Sequence, residues 1–256
     1  MQRVKLEIAY DGTNYHGWQL QPHAVTIEGV INEKLSQLCQ EDIRVIGASR
    51  TDAGVHAYGN VAVFDTESKI PPERFAMALN ALLPTAIRVQ RSFAVPADFH
   101  PRHCDSIKTY EYHILNRRIA IPTRRMYAYH FHWNLDLEAM REAAGYLVGK
   151  HDFVCFCSSK TQVKDTTRTI YSLTIEERGD ELVLRVQGNG FLYNMVRIIT
   201  GTLLQVGTKH FTPAYVKELL TCKDRSKGGA CAPAHGLFLV EIVYPDLEAQ
   251  SPMQSL

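Results

Sequence analysis

A chain of 256 residues, 45% hydrophobic and 21% charged, is long enough for one large domain or two modest ones with a real apolar core. Its 28 Lys+Arg against 27 Asp+Glu leave a net charge of +1, which excludes a globally basic polyanion binder; any nucleic-acid surface must be a local patch. No apolar run is long enough to span a bilayer, MQRVKLEIAY opens as a charged alternating strand rather than a signal peptide, and the six cysteines lack C-x2-C spacing, so they read as reduced, cytoplasmic packing residues with no metal site.

Arg3–Tyr10 alternates, with Val4, Leu6, Ile8 and Tyr10 on one face, and Asp11-Gly12 ends the strand. Thr26 caps a helix through Cys39 whose apolar face is Ile27, Val30, Ile31, Leu35 and Leu38. IRVIG (Ile43–Gly47) and NVAVF (Asn60–Phe64) read as strands around a long loop. Pro71-Pro72 opens a second helix with Phe75, Ala78, Leu79 and Leu82, and Ile87–Val95 is a further strand. The order is β-α-β-β-α-β, the ferredoxin-like unit.

The second half repeats this theme with insertions. Lys108–Leu115 and Met126–His132 read as strands, Asp136–Val148 as a helix closed by Gly149, and Arg168–Glu177 with Glu181–Gln187 as a hairpin. A long helix is expected from about Phe191 to Val206, a short one from Thr212-Pro213, and a last strand over Leu237–Tyr244. The expected fold is α+β: two ferredoxin-like halves, 1–104 and 105–256, whose mainly antiparallel sheets could be continuous.

Four stretches carry candidate chemistry. In ASRTDAGVHA the loop is longer than a compact domain needs, and Asp52 precedes the small residues Ala53 and Gly54, which permit close approach. A turn aspartate paired with Arg50 and a catalytic carboxylate beside an arginine both fit that spacing. YDGTNYHGWQ places two glycines and three aromatics past a strand end, with Tyr15 or Trp18 either folded onto the core or open to stacking. In KTYEY, Tyr110 shares a strand face with Tyr112 and Ile114, as a core tyrosine or as a ring for a base. On the long helix Arg197 falls roughly opposite the apolar face. The scarcity of other charges predicts a helix covered on both sides and an arginine that needs a partner, Asp52 being one candidate. His100-Pro-Arg102-His103, Arg117-Arg118 and Arg124-Arg125 add local positive charge suited to phosphate contacts.

Taken in order, YDGTNYHGWQ, ASRTDAGVHA, KTYEY, NGFLYNMVRIITGTL and APAHGLFLVEIVYP resemble the tRNA pseudouridine synthase A family over about Val4 to Asp246, with Ser49 standing where Gly often precedes the arginine. The resemblance implies an isomerase that converts uridine to pseudouridine at positions 38, 39 and 40 of the tRNA anticodon stem-loop, acting as a cytoplasmic homodimer without a cofactor. It implies Asp52 as the essential aspartate, Tyr110 as the tyrosine packed on the target base, and Arg50 and Arg197 as active-site basic residues. The rival from another class is a non-catalytic RNA-binding module, since RNA-recognition domains share the β-α-β-β-α-β order. Neither half carries the R-G-F-G-F-V-x-F type of strand that such modules use.

Overall fold

Strand β1 (Gln2–Tyr10) is the centre of the first set of ladders in this computed structural model, which describes residues 1–158 and 163–250, the side chains of the last three excepted. Helix α1 (Ile27–Cys39) follows, with Thr26 accepting from the Gly29 amide as its N-cap. Next come β2 (Ile46–Gly47), β3 (His56–Thr66), α2 (Phe75–Asn80) and β4 (Ile87–Ala94). β1 pairs antiparallel with β3 and with β4, and β2 pairs antiparallel with β3. The order β4-β1-β3-β2 is the ferredoxin-like one expected from the sequence.

The chain forms two compact units: Met1–Ser106 with the residues from Leu239 onward, and Ile107–Phe238. In the first, Val4, Leu6, Ile8, Ile27, Ile31, Leu35, Phe75 and Leu79 are wholly buried. Each contributes on the order of 1.5–3 kcal/mol by leaving water. Phe75 meets Phe64 edge-on at 5.2 Å. The polar face of β1 is covered as well. Lys5 is buried, its ammonium 4.9 Å from the centre of the Phe93 ring and 5.2 Å from that of Tyr244, and Arg3 chelates Asp65 at 2.8 and 2.6 Å.

The second unit holds β5 (Ile107–Leu115), β6 (Tyr129–His130), α3 (Leu137–Leu147), β7 (Gly149–Asp152), β8 (Thr167–Arg178), β9 (Glu181–Gly188), α4 (Met195–Gly207) and α5 (Pro213–Cys222). β5, β9, β8 and β7 are antiparallel neighbours in that order, and β6 adds to β5 in parallel. α3 packs on α4 and α5, so closely that a Cβ on Gly207 would lie 2.6 Å from the Met140 sulfur. The last strand, β10 (Leu237–Val243), starts in the second unit and ends in the first, where it borders β3.

The strand expected over Asn60–Phe64 extends to His56–Thr66, Gly149 opens strand β7, and three further boundaries shift, each for a local reason. The strand expected from Ile43 shrinks to Ile46–Gly47, because Ser36 and Asn32 of α1 take the Ile43 and Val45 amides with their side chains. The strand over Met126–His132 shrinks to two residues, because Pro122–Arg124 wind into a 3-10 turn and Tyr127 N donates to the Arg124 carbonyl. The long helix begins at Met195, not Phe191, because Asn194 sits at φ +62° in the left-handed region.

Candidate active site

Ala48–Val55 joins β2 to β3, and hydrogen bonds from three directions hold it. Ala48 N donates to the Val61 carbonyl at 2.7 Å. Asn60, wholly buried on β3, donates through Nδ2 to the Ser49 carbonyl (3.0 Å) and to the Tyr10 hydroxyl (3.2 Å). That hydroxyl lies 2.7 Å from Thr51 Oγ1. Trp18 N donates to the Thr51 carbonyl and Gly54 N to the Tyr15 carbonyl, at 2.9 and 3.3 Å.

The strand-end segment Asp11–Trp18 therefore supports the loop from beneath. Its glycines are demanded by contact. A Cβ on Gly12 would come within 2.0 Å of the Val55 carbonyl oxygen, and Gly17, at φ +86°, leaves no room beside the Thr51 carbonyl. Trp18 is 1% exposed, its ring against Gly47, so it belongs to the core and not to a stacking surface. Asp52 follows Thr51 as a half-buried residue, with Arg50 exposed before it. The main chain closes the turn: Val55 N donates to the Asp52 carbonyl at 3.1 Å while Gly54 takes φ +78°.

In the second unit, Tyr110, Tyr112 and Ile114 share one buried face of β5. Tyr110 is 7% exposed and meets Phe191 edge-on at 5.1 Å, which fixes the plane of its ring. Tyr112 donates its hydroxyl to the Pro233 carbonyl at 2.7 Å, and its ring lies against Gly236, where a Cβ would sit 2.8 Å from it. Burial raises the Tyr112 phenol well above the usual tyrosine range, against the opposing charge of Arg197. On the reverse face Glu111 takes Arg185 at 2.8 Å; burial pushes its carboxyl up, but Arg185, His113 and Arg178 outweigh this and hold it low.

Arg197 lies near the start of α4 and is half-buried. Its Nε donates to the Ala232 carbonyl at 2.7 Å and its Nη1 to Asn194 Oδ1 at 2.9 Å, both neutral oxygens. Eleven of the thirteen residues of α4 are buried, so the expected cover on both sides is present. Part of it is the stretch from Gly228 to Ala232. A Cβ on Gly201 would fall 1.8 Å from the Ala230 carbonyl oxygen, and Gly229 N donates to Thr202 Oγ1 at 3.1 Å.

Two of the expected phosphate-binding arginines already have acid partners, Arg117 with Asp180 at 2.9 Å and Arg124 with Glu181 at 2.5 and 2.8 Å. Arg102 and Arg118 are exposed. Of the four site residues, Asp52 and Arg50 stand in one loop of the first unit, and Tyr110 and Arg197 in the second. Sequence reasoning gave no role to Asn60 and Asn194. The available signals were an amide inside the apolar run of β3 and another at the head of an apolar helix.

A family model described as tRNA pseudouridine synthase matches residues 7–103 and 143–245. The chain belongs to that family. It is 48% identical over 244 residues to the tRNA pseudouridine synthase A of Brevibacillus brevis, covering 95% of this chain and 100% of that one. It is 46% identical over 244 residues to the same enzyme of Thermoanaerobacter sp. strain X514 and of Clostridium acetobutylicum, with 95% of this chain and 100% of theirs covered. Among solved structures, the archaeal box H/ACA sRNP Nop10-Cbf5 complex contains a similar chain at 12% identity and a TM-score of 0.31; 92% of this chain and 46% of that one are covered. The family match takes in Arg50, Asp52 and Arg197, while Tyr110 falls in the interval between its two segments.

Proposed function

We propose that this member of the pseudouridine synthase family isomerises uridine to pseudouridine at positions 38, 39 and 40 of the tRNA anticodon stem-loop, with Asp52 as the essential group. The reaction breaks the N1–C1′ bond, turns the uracil, joins C5 to C1′ and releases the C5 proton, and the ribose carbon passes through a cation-like state. A carboxylate serves by attacking C1′ or by taking a ribose proton, and both routes need it ionised. The supporting observation is the Asp52 loop, whose neighbouring backbone is pinned through Ser49, Thr51 and Gly54 while Asp52 itself stays half-buried.

The remaining roles follow from chemistry. A base in a stem must leave its stack, at a cost of a few kcal/mol. Arg50, exposed beside Asp52, fills the gap, and Tyr110 packs on the extruded uracil for about 1–3 kcal/mol. Arg197, which donates to the Ala232 carbonyl and to Asn194 Oδ1, is the second basic residue of the proposed site. We place the enzyme in the cytoplasm as a homodimer, which widens the surface available to the RNA. No helix among the described residues is long and apolar enough to cross a membrane.

Asp52→Asn tests the reading. The variant should fold and bind tRNA yet form no pseudouridine, and retained turnover would remove Asp52 from the mechanism. Mapping pseudouridine in bulk tRNA from cells with and without the protein should show its loss at positions 38 to 40; loss elsewhere would overturn the site assignment.

A further inference from the structure

Within the second unit, Ser158, Asn194, Ile198, Arg225, Ser226 and Cys231 line a concave pocket of about 290 Å³. None of these six residues is acidic. Arg225 is half-buried, gives one N–H to the Gly229 carbonyl (3.2 Å), and lies beside Gly228, where a Cβ would come 3.0 Å from Nη1. The neighbouring acid, Asp224, is turned onto the Ser226 amide and hydroxyl at 3.0 and 2.7 Å and does not line the pocket. Asn194 spends its Oδ1 on Arg197, so what it offers a ligand is its Nδ2 donor.

A guanidinium and an amide donor, with one aliphatic side chain, suit an oxyanion far better than a base, since no aromatic ring is among the described residues that line the space. The volume lies just under the usual range for small-molecule sites and accommodates a phosphate with its adjoining ribose atoms. Asn194 joins the pocket directly to Arg197. An anion held here would therefore set where a strand lies relative to that arginine. Resting on the tRNA reading above, we propose that this pocket holds one phosphodiester of the substrate RNA, with Arg225 as its charge partner and Asn194 as its neutral donor. Such a contact positions the strand without reading sequence.

The test compares tRNA binding by the full-length protein across salt concentrations for wild type, Arg225→Gln and Arg225→Lys. Losing one phosphate contact should flatten the slope of log K against log salt by about 0.7–0.9 in Arg225→Gln, while Arg225→Lys keeps the wild-type slope. Arg225→Gln should also show a raised KM for tRNA, which Arg225→Lys restores. Alkylation of exposed Cys231 in the unmutated protein, read by mass spectrometry, gives a check independent of any folding defect: tRNA should slow it. An unchanged slope, or alkylation unaffected by bound tRNA, overturns the proposal. Protection by inorganic phosphate as complete as that by tRNA would make the pocket a free-anion site and also overturn it. If wild type forms no pseudouridine in tRNA while the slope still falls in Arg225→Gln, the RNA contact stands and the catalytic reading fails.

Discussion

Replacing Asn60 by alanine isolates how the Asp52 loop is held. The side chain is wholly buried, and its Nδ2 supplies the Ser49 carbonyl and the Tyr10 hydroxyl while its Oδ1 accepts from the Val61 amide at 2.9 Å. Deleting it removes bonds worth about 0.5–1.5 kcal/mol each and strands a buried carbonyl at about 1–3 kcal/mol, so a loss of about 2–4 kcal/mol in stability is expected. Tyr10→Phe is the milder partner: it removes the hydroxyl that joins Asn60 to Thr51, for about 1–2 kcal/mol. Asn60→Ala frees the Ser49 carbonyl and Tyr10→Phe frees the Thr51 hydroxyl, on either side of Arg50. A displacement near 1 Å in a reacting group costs about 100-fold in rate. We expect kcat for pseudouridine formation to fall by about that factor in Asn60→Ala and by less in Tyr10→Phe, with tRNA affinity unchanged. Urea unfolding measures the first quantity, and single-turnover release of the C5 hydrogen measures the second. A variant that loses stability but keeps wild-type kcat would refute the claim that this network positions the loop.

Gly201→Ala would push a methyl group to 1.8 Å from the Ala230 carbonyl oxygen and should cost about 1–3 kcal/mol in urea unfolding; a cost near zero would mean that the cover over α4 yields freely. The hydrogen bonds from Arg3 hold the Asp65 carboxyl below its ordinary range, so its stabilisation is complete above the unfolded value near 3.9 and is lost as pH falls through the lower folded value. Asp65→Asn should therefore be less stable than wild type at pH 7, by up to about 1 kcal/mol after solvent screening, and should match it near pH 2; a gap that persists in acid would assign the effect to packing. Burial raises the Cys155 thiol to about 12, with Cys222 Sγ 3.2 Å away. At pH 8 iodoacetamide should modify exposed Cys231 and spare Cys155 in the folded protein, and rapid modification of Cys155 would contradict its burial.

Strand and helix periodicity made the ferredoxin-like order of the first unit legible, because each apolar stripe there is long and bounded by Thr26, Pro72 or Asp11-Gly12. What periodicity could not show was competition from side chains. Ser36 and Asn32 lie 7 and 13 residues from the amides they take, and nothing local marks that pairing. The head of α4 is not legible in the sequence, because Phe191, Leu192 and Tyr193 continue the apolar pattern, while Asn194 interrupts it only through its backbone angle. For the site, the residue types in SRTDAGVH were visible as chemistry. The role of YDGTNYHGW was not, since its glycines answer to backbone atoms some forty residues away. Of the two readings the sequence leaves open for its aromatics, the structure supports the packed one for Trp18.

The support beneath the Asp52 loop changes what the sequence strings mean. YDGTNYHGW and SRTDAGVH form one packing unit, fixed where Gly12 and Gly17 meet the backbone of Thr51 to Val55. KTYEY, the head of α4 and ACAPAHG form another, fixed where Tyr112 meets Gly236 and Pro233 and where Arg197 meets Ala232. In each unit the residues with chemistry to offer are few, and the glycines, prolines and amides around them exist to bring backbones together. A chain carrying SRTDAGVH without the glycines of YDGTNYHGW would place its aspartate on a loop with nothing beneath it. The same holds for an arginine on α4 without the small residues from Gly228 to Ala232, since any larger side chain at Gly201 displaces the Ala230 carbonyl, two residues before the Ala232 carbonyl that accepts from Arg197. Recognition of the site therefore depends on both members of each pair, and the aspartate motif alone is the weaker signature.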